Sequence, residues 1–343
     1  MPFNVSELFS KQAKDDRKAF IKSLEALFLL PAGLSLMDEP PLPSNLLAGF
    51  CSISDWLGSS NNALNFSYVS EECDLMKYFN ERYEKDASEI ITTTGLISKP
   101  KIYQGVQALL KPEYSPRQLQ TKVNLLPLVS GLSIVEGPTG SGKTELAIDY
   151  AWRLINEGLA DSIIFALPSQ ATANGMLPRL DKLSGTLFHG HPNLLLAHGN
   201  ARFNNHFSEI RNRPITVQGD EDSAAQCDHW LSQSRKRALL GQISVCTVDQ
   251  VLMSVIPVKH RFIRGFCIGR SVLVVDEVHA YDAYMYGLME EVLRNQKKAG
   301  GSAILLSATL PGFQKDRLLQ AWNAEYIEKI EKEYPLITSY TYH

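Results

Sequence analysis

The sequence lacks the features that mark membrane, secreted and disulfide-rich proteins. Its most apolar stretch, residues 24–37, contains Glu25, Pro31 and Gly33 and is shorter than the roughly 18 residues that suggest a membrane span. The five cysteines are scattered, odd in number and without a Cys-x-x-Cys pair, so they predict reduced thiols and not a disulfide framework. These absences predict a cytoplasmic protein with no membrane association.

The chain also lacks an overall excess of positive charge. Its net charge is −3, with 34 Lys and Arg against 37 Asp and Glu, so no basic field over the whole surface indicates nucleic acid. Positive charge is concentrated locally at residues 235–237 and at Lys259, His260, Arg261, Arg264 and Arg270. Either group could line a nucleic-acid track or belong to a solvated face.

A complete phosphate-binding loop stands out from this ordinary composition. Residues 137–144 fill every fixed position of Gly-x-x-x-x-Gly-Lys-[Ser/Thr], in which backbone N–H groups surround phosphate oxygens and the lysine reaches the outer phosphates. An apolar run precedes the loop and an amphipathic helical pattern follows it, as such loops require. The predicted nucleotide-binding residues are Gly137, Thr139, Gly140, Ser141, Gly142, Lys143 and Thr144.

Two adjacent acidic residues could complete a hydrolytic site together with the phosphate-binding loop. Asp276 and Glu277 follow the apolar residues 272–275, so a buried strand would deliver them to the edge of a sheet. Asp276, together with the Thr144 hydroxyl, is predicted to hold the Mg²⁺ of a nucleoside triphosphate. Glu277 is predicted to orient the attacking water.

Short apolar runs alternate with helix-length segments from residue 119 onward. The runs are residues 133–136, 163–167, 194–197, 243–248, 272–275 and 303–306. This alternation predicts βαβ units and an α/β fold with a mostly parallel sheet. Polar residues follow the runs, and the carboxyl ends of parallel strands meet at one edge, so the candidate residues should converge there.

The first 112 residues carry helical patterns and no alternation typical of strands. Apolar side chains recur at helical spacing, behind Ser44 as an N-cap, at Leu46, Phe50, Ile53 and Leu57. Residues 71–90 form a second amphipathic stretch, and residues 111–116 resemble a linker. We therefore expect a helical N-terminal region before the α/β domain.

The string from Asp276 to Asp282, with residues 307–311 downstream, resembles the superfamily 2 helicases and in particular the CRISPR-associated helicase Cas3. Residues 115–120 are similar to its glutamine motif, residues 167–174 to its motif Ia and residues 247–250 to its motif Ib. The resemblance implies a RecA-like P-loop domain that uses ATP and Mg²⁺.

The resemblance also implies roles for individual residues. Gln120 would read the adenine edge, with Gln118 as a competing candidate. Ser307 and Thr309 would couple ATP turnover to strand movement, and His279 would link them to the hydrolytic site, unless it is a satisfied structural histidine. The residues expected to contact the phosphates of a single DNA strand are Gln170, Thr172, Asn174 and Thr247.

By the same resemblance, residues 1–112 correspond to the C-terminal part of an HD nuclease domain, 113–325 to the first RecA-like domain and 326–343 to the start of a connection to a second one. Asp55 matches a metal-binding aspartate of the HD domain, but no histidine precedes His189, so nuclease activity is not expected. We expect a fragment, or one part of a split gene product.

The family acts on DNA marked by an RNA-guided surveillance complex, so the expected partners are single-stranded DNA, that complex and a separately encoded remainder of the motor. The second domain of this superfamily supplies a charge-stabilising arginine, so this chain alone should bind ATP and hydrolyse it slowly. A nucleotide-binding interaction module without motor activity is the alternative hypothesis.

Overall fold

The structure is a computed structural model that describes residues 10–37, 45–59, 73–97, 99–213, 225–232, 234–322, 328–329 and 334–341. The chain divides into two compact units, one of residues 1–43 and 58–90 and the other of residues 44–57 and 91–343. The domain boundaries expected near residues 112 and 325 do not coincide with the limits of these units and stay predictions.

Helices and strands are numbered here along the chain. The α-helices are α1 Lys11–Leu24, α2 Asn45–Gly58, α3 Leu75–Glu81, α4 Ser88–Thr93, α5 Gln118–Thr121, α6 Lys143–Asn156, α7 Gln170–Leu187, α8 Asn205–Arg211, α9 His229–Ser232, α10 Val248–Leu252, α11 Arg261–Gly269, α12 Ala283–Lys298 and α13 Gly312–Trp322. The strands are β1 Gly131–Glu136, β2 Ser162–Leu167, β3 Leu194–Ala197, β4 Ile243–Thr247, β5 Ser271–Val275, β6 Ser302–Ser307, β7 Glu328–Lys329 and β8 Leu336–Thr341.

The described residues of the first unit are mainly helical. Helix α1 continues as a π-helical segment, Glu25–Leu29, and α3 continues as a second one, Arg82–Ala87. Within this unit the ring of Phe79 packs edge-on against Phe28, with centroids 5.3 Å apart, and stacks on Tyr83 at 5.8 Å. The helices predicted in the N-terminal region are present among the residues that the structure describes there.

Helix α2 contains the apolar row predicted from Leu46 to Leu57, and its Ile53 is buried in the second unit. The N-cap predicted at Ser44 lies outside the described residues.

The second unit is built on one eight-stranded sheet with the strand order β3-β4-β2-β5-β6-β1-β8-β7. The six strands from β1 to β6 pair in parallel, and they are the six predicted apolar runs. Strand β8 adds to β1 in antiparallel register, with Leu132 opposite Tyr340. The predicted α/β class with a mostly parallel sheet is confirmed, whereas β7 and β8 were not predicted.

Both faces of the sheet are covered by apolar side chains. Ile163 and Phe165 of β2 point into the core under α6 and α7, and Ile164 and Ala166 point into the opposite core under α10 to α13. Successive side chains of a strand face opposite ways, so a strand buried on both faces is apolar throughout. None of the helices in the described ranges is long and apolar enough to cross a bilayer.

Candidate functional site

The phosphate loop lies between the end of β1 and the start of α6, as the motif requires. Gly140 and Gly142 have φ angles of 77° and 93°, in the left-handed region that favours glycine. A Cβ on Gly142 would also come within 2.4 Å of the Gln120 Nε2 atom. Helix α6 therefore presents its N-terminus to the loop, where backbone N–H groups favour an anion.

Lys143, the first residue of α6, folds back onto the loop. Its ammonium group donates to the carbonyl oxygens of Gly137 at 2.5 Å and Pro138 at 2.9 Å. Partial burial lowers the pKa of Lys143, and the nearby charges of Asp276 and Glu277 oppose this shift. The lysine and the two acids are thus close enough to interact electrostatically.

Strand β5 delivers Asp276 and Glu277 to the same edge. The Asp276 N–H donates to Ala166 O at 2.9 Å, and one Asp276 carboxylate oxygen accepts the Glu277 N–H at 2.8 Å. Burial raises the pKa of Asp276, and the Glu277 charge adds to this, whereas the bond from the Glu277 N–H and the Lys143 charge lower the pKa. A cation at this position would keep Asp276 ionised.

The backbone at Glu277 is strained. Its φ of 52° lies in the left-handed region, which non-glycine residues seldom adopt and which occurs often at functional sites. Two tyrosine hydroxyls secure the turn, since Tyr281 donates to Asp276 O at 3.2 Å and Tyr286 donates to Val278 O at 3.0 Å. The exposed Glu277 side chain is therefore presented from a fixed turn.

His279 contacts the loop after β6, as predicted. Its Nδ1 atom lies 3.1 Å from Ser307 Oγ, and the Ser307 hydroxyl donates to Thr309 O at 2.8 Å. The Ala308 N–H points to the same ring nitrogen at 3.4 Å. The histidine, Ser307 and Thr309 thus form one connected group, and their coupling role stays a prediction.

Hydrogen bonds join the loop after β6 to the phosphate loop directly. The Gly137 N–H donates to Ser307 O at 3.1 Å, and the Leu310 N–H donates to the Glu136 carboxylate at 3.0 Å. The Lys315 ammonium also binds Glu136, at 2.5 Å. Glu136 was not predicted, since a single acid at a strand end carries no distinctive signal in the sequence.

The structure separates the two candidate glutamines. Gln120 is 3% exposed, accepts the Arg117 N–H at 2.8 Å and donates to the Glu145 carboxylate at 3.3 Å. Gln118 is exposed at the start of α5 and does not line the neighbouring cavity, whereas Gln120 does. The geometry favours Gln120, although its reading of adenine stays a prediction.

A cavity of about 550 Å³ joins these groups. Its volume lies within the range of roughly 300–1,000 Å³ that is usual for small-molecule sites. Arg117 and Arg179 also line it, and neither was assigned a role from the sequence. Its lining includes Gln120, Thr139, Gly140, Gly142, Lys143, Thr144, Asp276, Glu277 and His279.

Two of the residues predicted to contact DNA, Gln170 and Asn174 of α7, are held by side chains of the segment after β3. Gln170 accepts the Asn200 side-chain amide at 3.1 Å, and Asn174 Oδ1 lies 2.9 Å from His198 Nε2. Asn174 also accepts the Asn204 amide at 2.8 Å. Gln170 and Asn174 are therefore oriented by polar side chains that follow β3.

Thr172 and Thr247 have different surroundings. Thr172 lies in the capping box at the start of α7, where its hydroxyl is 3.0 Å from Ser169 Oγ. Thr247 is only 4% exposed, at the end of β4. In this arrangement its side chain is not at the surface, and its predicted contact with DNA is untested.

Three of the basic residues have partners within the second unit. Arg237 stacks on Trp230, with its guanidinium carbon 3.9 Å from the ring centre, and Arg270 pairs with Asp161. Arg264 donates to Gln250 at 3.3 Å. These contacts give several of the cations structural partners inside the second unit.

Asp55, the predicted HD-type metal ligand, lies exposed on α2. No group of three or more His, Cys, Asp or Glu side chains suitable for a metal ion occurs among the described residues. The role of Asp55 remains a prediction.

Comparison with known families supports a helicase assignment. A sequence model described as DEAD/DEAH box helicase matches residues 116–317, more than half of the chain. The CRISPR-associated endonuclease/helicase Cas3 of Escherichia coli (strain K12) is 54% identical over 98% of this chain, and the match covers 38% of that relative. A Thermus thermophilus protein of the same description is 35% identical over 81% of the chain and is covered to 30%.

Solved structures agree with this result. The crystal structure of T. fusca Cas3 with ATP aligns with a TM-score of 0.68 and 28% identity, over 81% of this chain and 30% of that one. A structure described as a CRISPR RNA-guided surveillance complex in a pre-nicking state aligns with a TM-score of 0.58 and 25% identity, over 91% of this chain and 30% of that one. The predicted resemblance to Cas3 is confirmed.

Proposed function

Because this chain belongs to the DEAD/DEAH box helicase family, we propose that it is the ATP-binding part of a Cas3-type motor that acts on DNA in CRISPR defence. The chain spans 38% of the length of the E. coli relative. That it takes part in the activity of a whole Cas3 protein is therefore a proposal. Single-stranded DNA and an RNA-guided surveillance complex are the proposed partners.

One observation carries the proposal. The phosphate loop, the acids after β5 and the Ser307–Thr309 group meet at the carboxyl edge of the sheet, where Gly137 N–H bonds Ser307 O at 3.1 Å. A nucleotide-binding protein without a motor needs the loop, but it does not need a polar connection from that loop through His279 to the segment after β6.

The residues present suit ATP with Mg²⁺. Thr144 and Asp276 would hold the ion, because a hydroxyl and a carboxylate are the hard oxygen ligands that it prefers. When bound, Mg²⁺ neutralises charge on the phosphate oxygens. Lys143 would exchange its carbonyl partners for a phosphate, and Glu277 would orient the attacking water and accept its proton.

The chain would bind a single DNA strand without recognising its bases. Gln170 and Asn174 present amides from the first turns of α7, and amide or hydroxyl groups suit phosphate oxygens regardless of sequence. We also propose that the chain alone turns ATP over slowly, because in this superfamily a partner domain contributes a charge-stabilising arginine. Nuclease activity from this chain is not part of the proposal.

The test is the ATPase rate of the chain with and without single-stranded DNA, measured alone and with a Cas3-type second RecA-like domain added. The motor proposal predicts slow hydrolysis that rises when both DNA and the second domain are present. ATP binding with no response to either would favour an interaction module instead. Failure of Mg²⁺–ATP to bind would contradict both.

A further inference from the structure

Arg179 lies in the nucleotide cavity although it comes from the helix proposed to contact DNA. It is five residues beyond Asn174 on α7, and its guanidinium forms an ion pair with the Glu145 carboxylate in the first turn of α6. The Arg179 side chain is 39% exposed and that of Glu145 is 18% exposed. Both residues line the cavity together with Lys143.

Arg179 lines the same cavity as Asp276, the acid proposed to hold Mg²⁺. Burial lowers the pKa of Arg179 and the charge of Asp276 opposes that effect, so the two groups lie within electrostatic range. In phosphate-loop enzymes the loop lysine reaches the β- and γ-phosphates and the ion bridges them. A cation that shares the cavity with Lys143 and Asp276 is therefore on the side where the outer phosphates would bind.

Glu145 is shared between two partners. One carboxylate oxygen accepts the Gln120 amide at 3.3 Å and the other pairs with Arg179. Glu145 therefore keeps one partner if Arg179 leaves. A guanidinium has five N–H donors in a planar fork that matches phosphate as well as carboxylate, and a triphosphate carries more negative charge than one carboxylate.

We propose that Arg179 leaves its ion pair with Glu145 and contacts the terminal phosphate when a nucleoside triphosphate binds. This contact makes the site prefer a triphosphate to a diphosphate. This inference rests on the proposed ATP site. If the Arg179–Glu145 ion pair only joined α6 to α7, its loss would affect the binding of ATP and ADP equally. If Arg179 contacts the terminal phosphate, its loss would weaken the binding of ATP and not that of ADP.

The experiment measures dissociation constants of the intact chain for ADP and for a non-hydrolysable ATP analogue, by displacement of a fluorescent nucleotide in Mg²⁺ buffer. Charge-assisted hydrogen bonds to phosphate are strong enough that Arg179→Ala should reduce the preference for the triphosphate about 10- to 100-fold, with ADP affinity unchanged. Arg179→Lys keeps the charge and loses the planar set of N–H donors, so its preference for the triphosphate should lie between those of the wild type and Arg179→Ala.

Glu145→Gln tests the exchange from the other side. It removes the competing carboxylate and keeps the volume and a partner for Gln120, so it should strengthen binding of the analogue more than that of ADP. In the Arg179→Ala background that preference should disappear, as a double-mutant cycle would show. Glu145→Gln also keeps the proposal testable if Arg179→Ala fails to fold.

Lys182→Ala is the matched control, because Lys182 is an exposed cation on the same helix that does not line the cavity. An equal loss of ADP and analogue binding in Arg179→Ala, or the same loss of preference in Lys182→Ala, would overturn the inference. If the wild-type chain bound neither nucleotide, the proposed ATP site itself would fail, which is a distinguishable result.

Discussion

The Glu136 carboxylate accepts the backbone N–H of Leu310 at 3.0 Å and thereby joins the strand before the phosphate loop to the loop after β6. Its second oxygen binds the Lys315 ammonium, and the side chains of Glu136 and Lys315 are 9% and 16% exposed. The contact between Glu136 and Leu310 thus joins two motifs that are distant in the sequence, because 174 positions separate these residues.

Glu136→Ala should lower the free energy of unfolding by about 1–3 kcal/mol, because it leaves the partly buried Lys315 ammonium and the Leu310 N–H without their partner. Urea denaturation would measure this change. A Glu136→Leu/Lys315→Met double variant should recover much of the loss, since it removes both charges together. A cost below about 1 kcal/mol, the value typical of exposed pairs, would contradict the structural importance of this contact.

Gly142→Ala should abolish nucleotide binding. The substitution strains a backbone with φ of 93° and forces a Cβ to within 2.4 Å of Gln120 Nε2, so the loop or the glutamine has to move. Gly158→Ala is the control, because φ there is 73° but no atom from the described parts of the chain lies within 4 Å of the added Cβ. Calorimetric titration with ATP should show normal affinity for Gly158→Ala; similar losses in both variants would point to general destabilisation.

Glu277→Gln should retain ATP and stop its turnover. The amide keeps the shape of the side chain but cannot accept a proton from water, a role that contributes typically 10²–10⁴-fold to the rate. The measurement is DNA-stimulated phosphate release beside nucleotide affinity. Lys143→Ala should instead lose affinity. Equal rates of ATP hydrolysis for Glu277→Gln and wild type would contradict the proposed role of Glu277 in activating water.

The sequence predicted those parts of the fold and site whose signal is local. Each of the strands β1 to β6 is a continuous apolar run, and the phosphate loop has fixed spacing, so both could be recognised without tertiary information. Strand β8 could not be, because the polar residues Thr338 and Ser339 obscure the apolar pattern and its partner β1 lies about 200 residues earlier.

The site residues that the sequence did not predict share one property. Their roles depend on contacts with residues that are distant in the sequence. Arg179 of α7 lines the cavity and pairs with Glu145 of α6, and Glu136 becomes important through Leu310 and Lys315. A lone arginine inside an amphipathic helix, or a lone acid at the end of a strand, is far more often a surface residue. Such roles emerge only from packing.

Stability should depend on pH through Asp149, a fully buried residue of α6. Its carboxylate accepts the Tyr103 hydroxyl at 2.9 Å, while its Oδ1 atom has no hydrogen-bond partner among the described residues. Burial raises the pKa of Asp149 from 3.8 to about 6, and the Tyr103 bond and the Arg153 charge only partly oppose this. A carboxyl group with a raised pKa in the folded state favours folding when protonated.

The stability contribution of Asp149 is therefore fully present below about pH 4 and is lost as the pH rises through about 6. The loss should amount to about 2–3 kcal/mol. Asp149→Asn should remove this dependence and be more stable than wild type at pH 8. Urea denaturation of both proteins from pH 4 to 8 provides the measurement, and parallel profiles would refute the assignment to Asp149.

Asn174→Ala should weaken binding of single-stranded DNA without changing nucleotide affinity. Asn174 is oriented by His198 and Asn204, at 2.9 Å and 2.8 Å, and its proposed contact is with a phosphate, which carries no base information. A lost neutral hydrogen bond should reduce affinity roughly 3- to 10-fold, and by the same factor for oligo-dT and oligo-dA.

Fluorescence anisotropy with labelled oligonucleotides at fixed salt gives these affinities, because phosphate binding depends steeply on ionic strength. Lys182→Ala, on the same helix, reports the effect of removing a general positive charge. Since His198 orients Asn174 through its ring nitrogen, His198→Ala should resemble Asn174→Ala, and combining the two should add little. Losses that differ between the two oligonucleotides would show instead that this end of α7 reads bases.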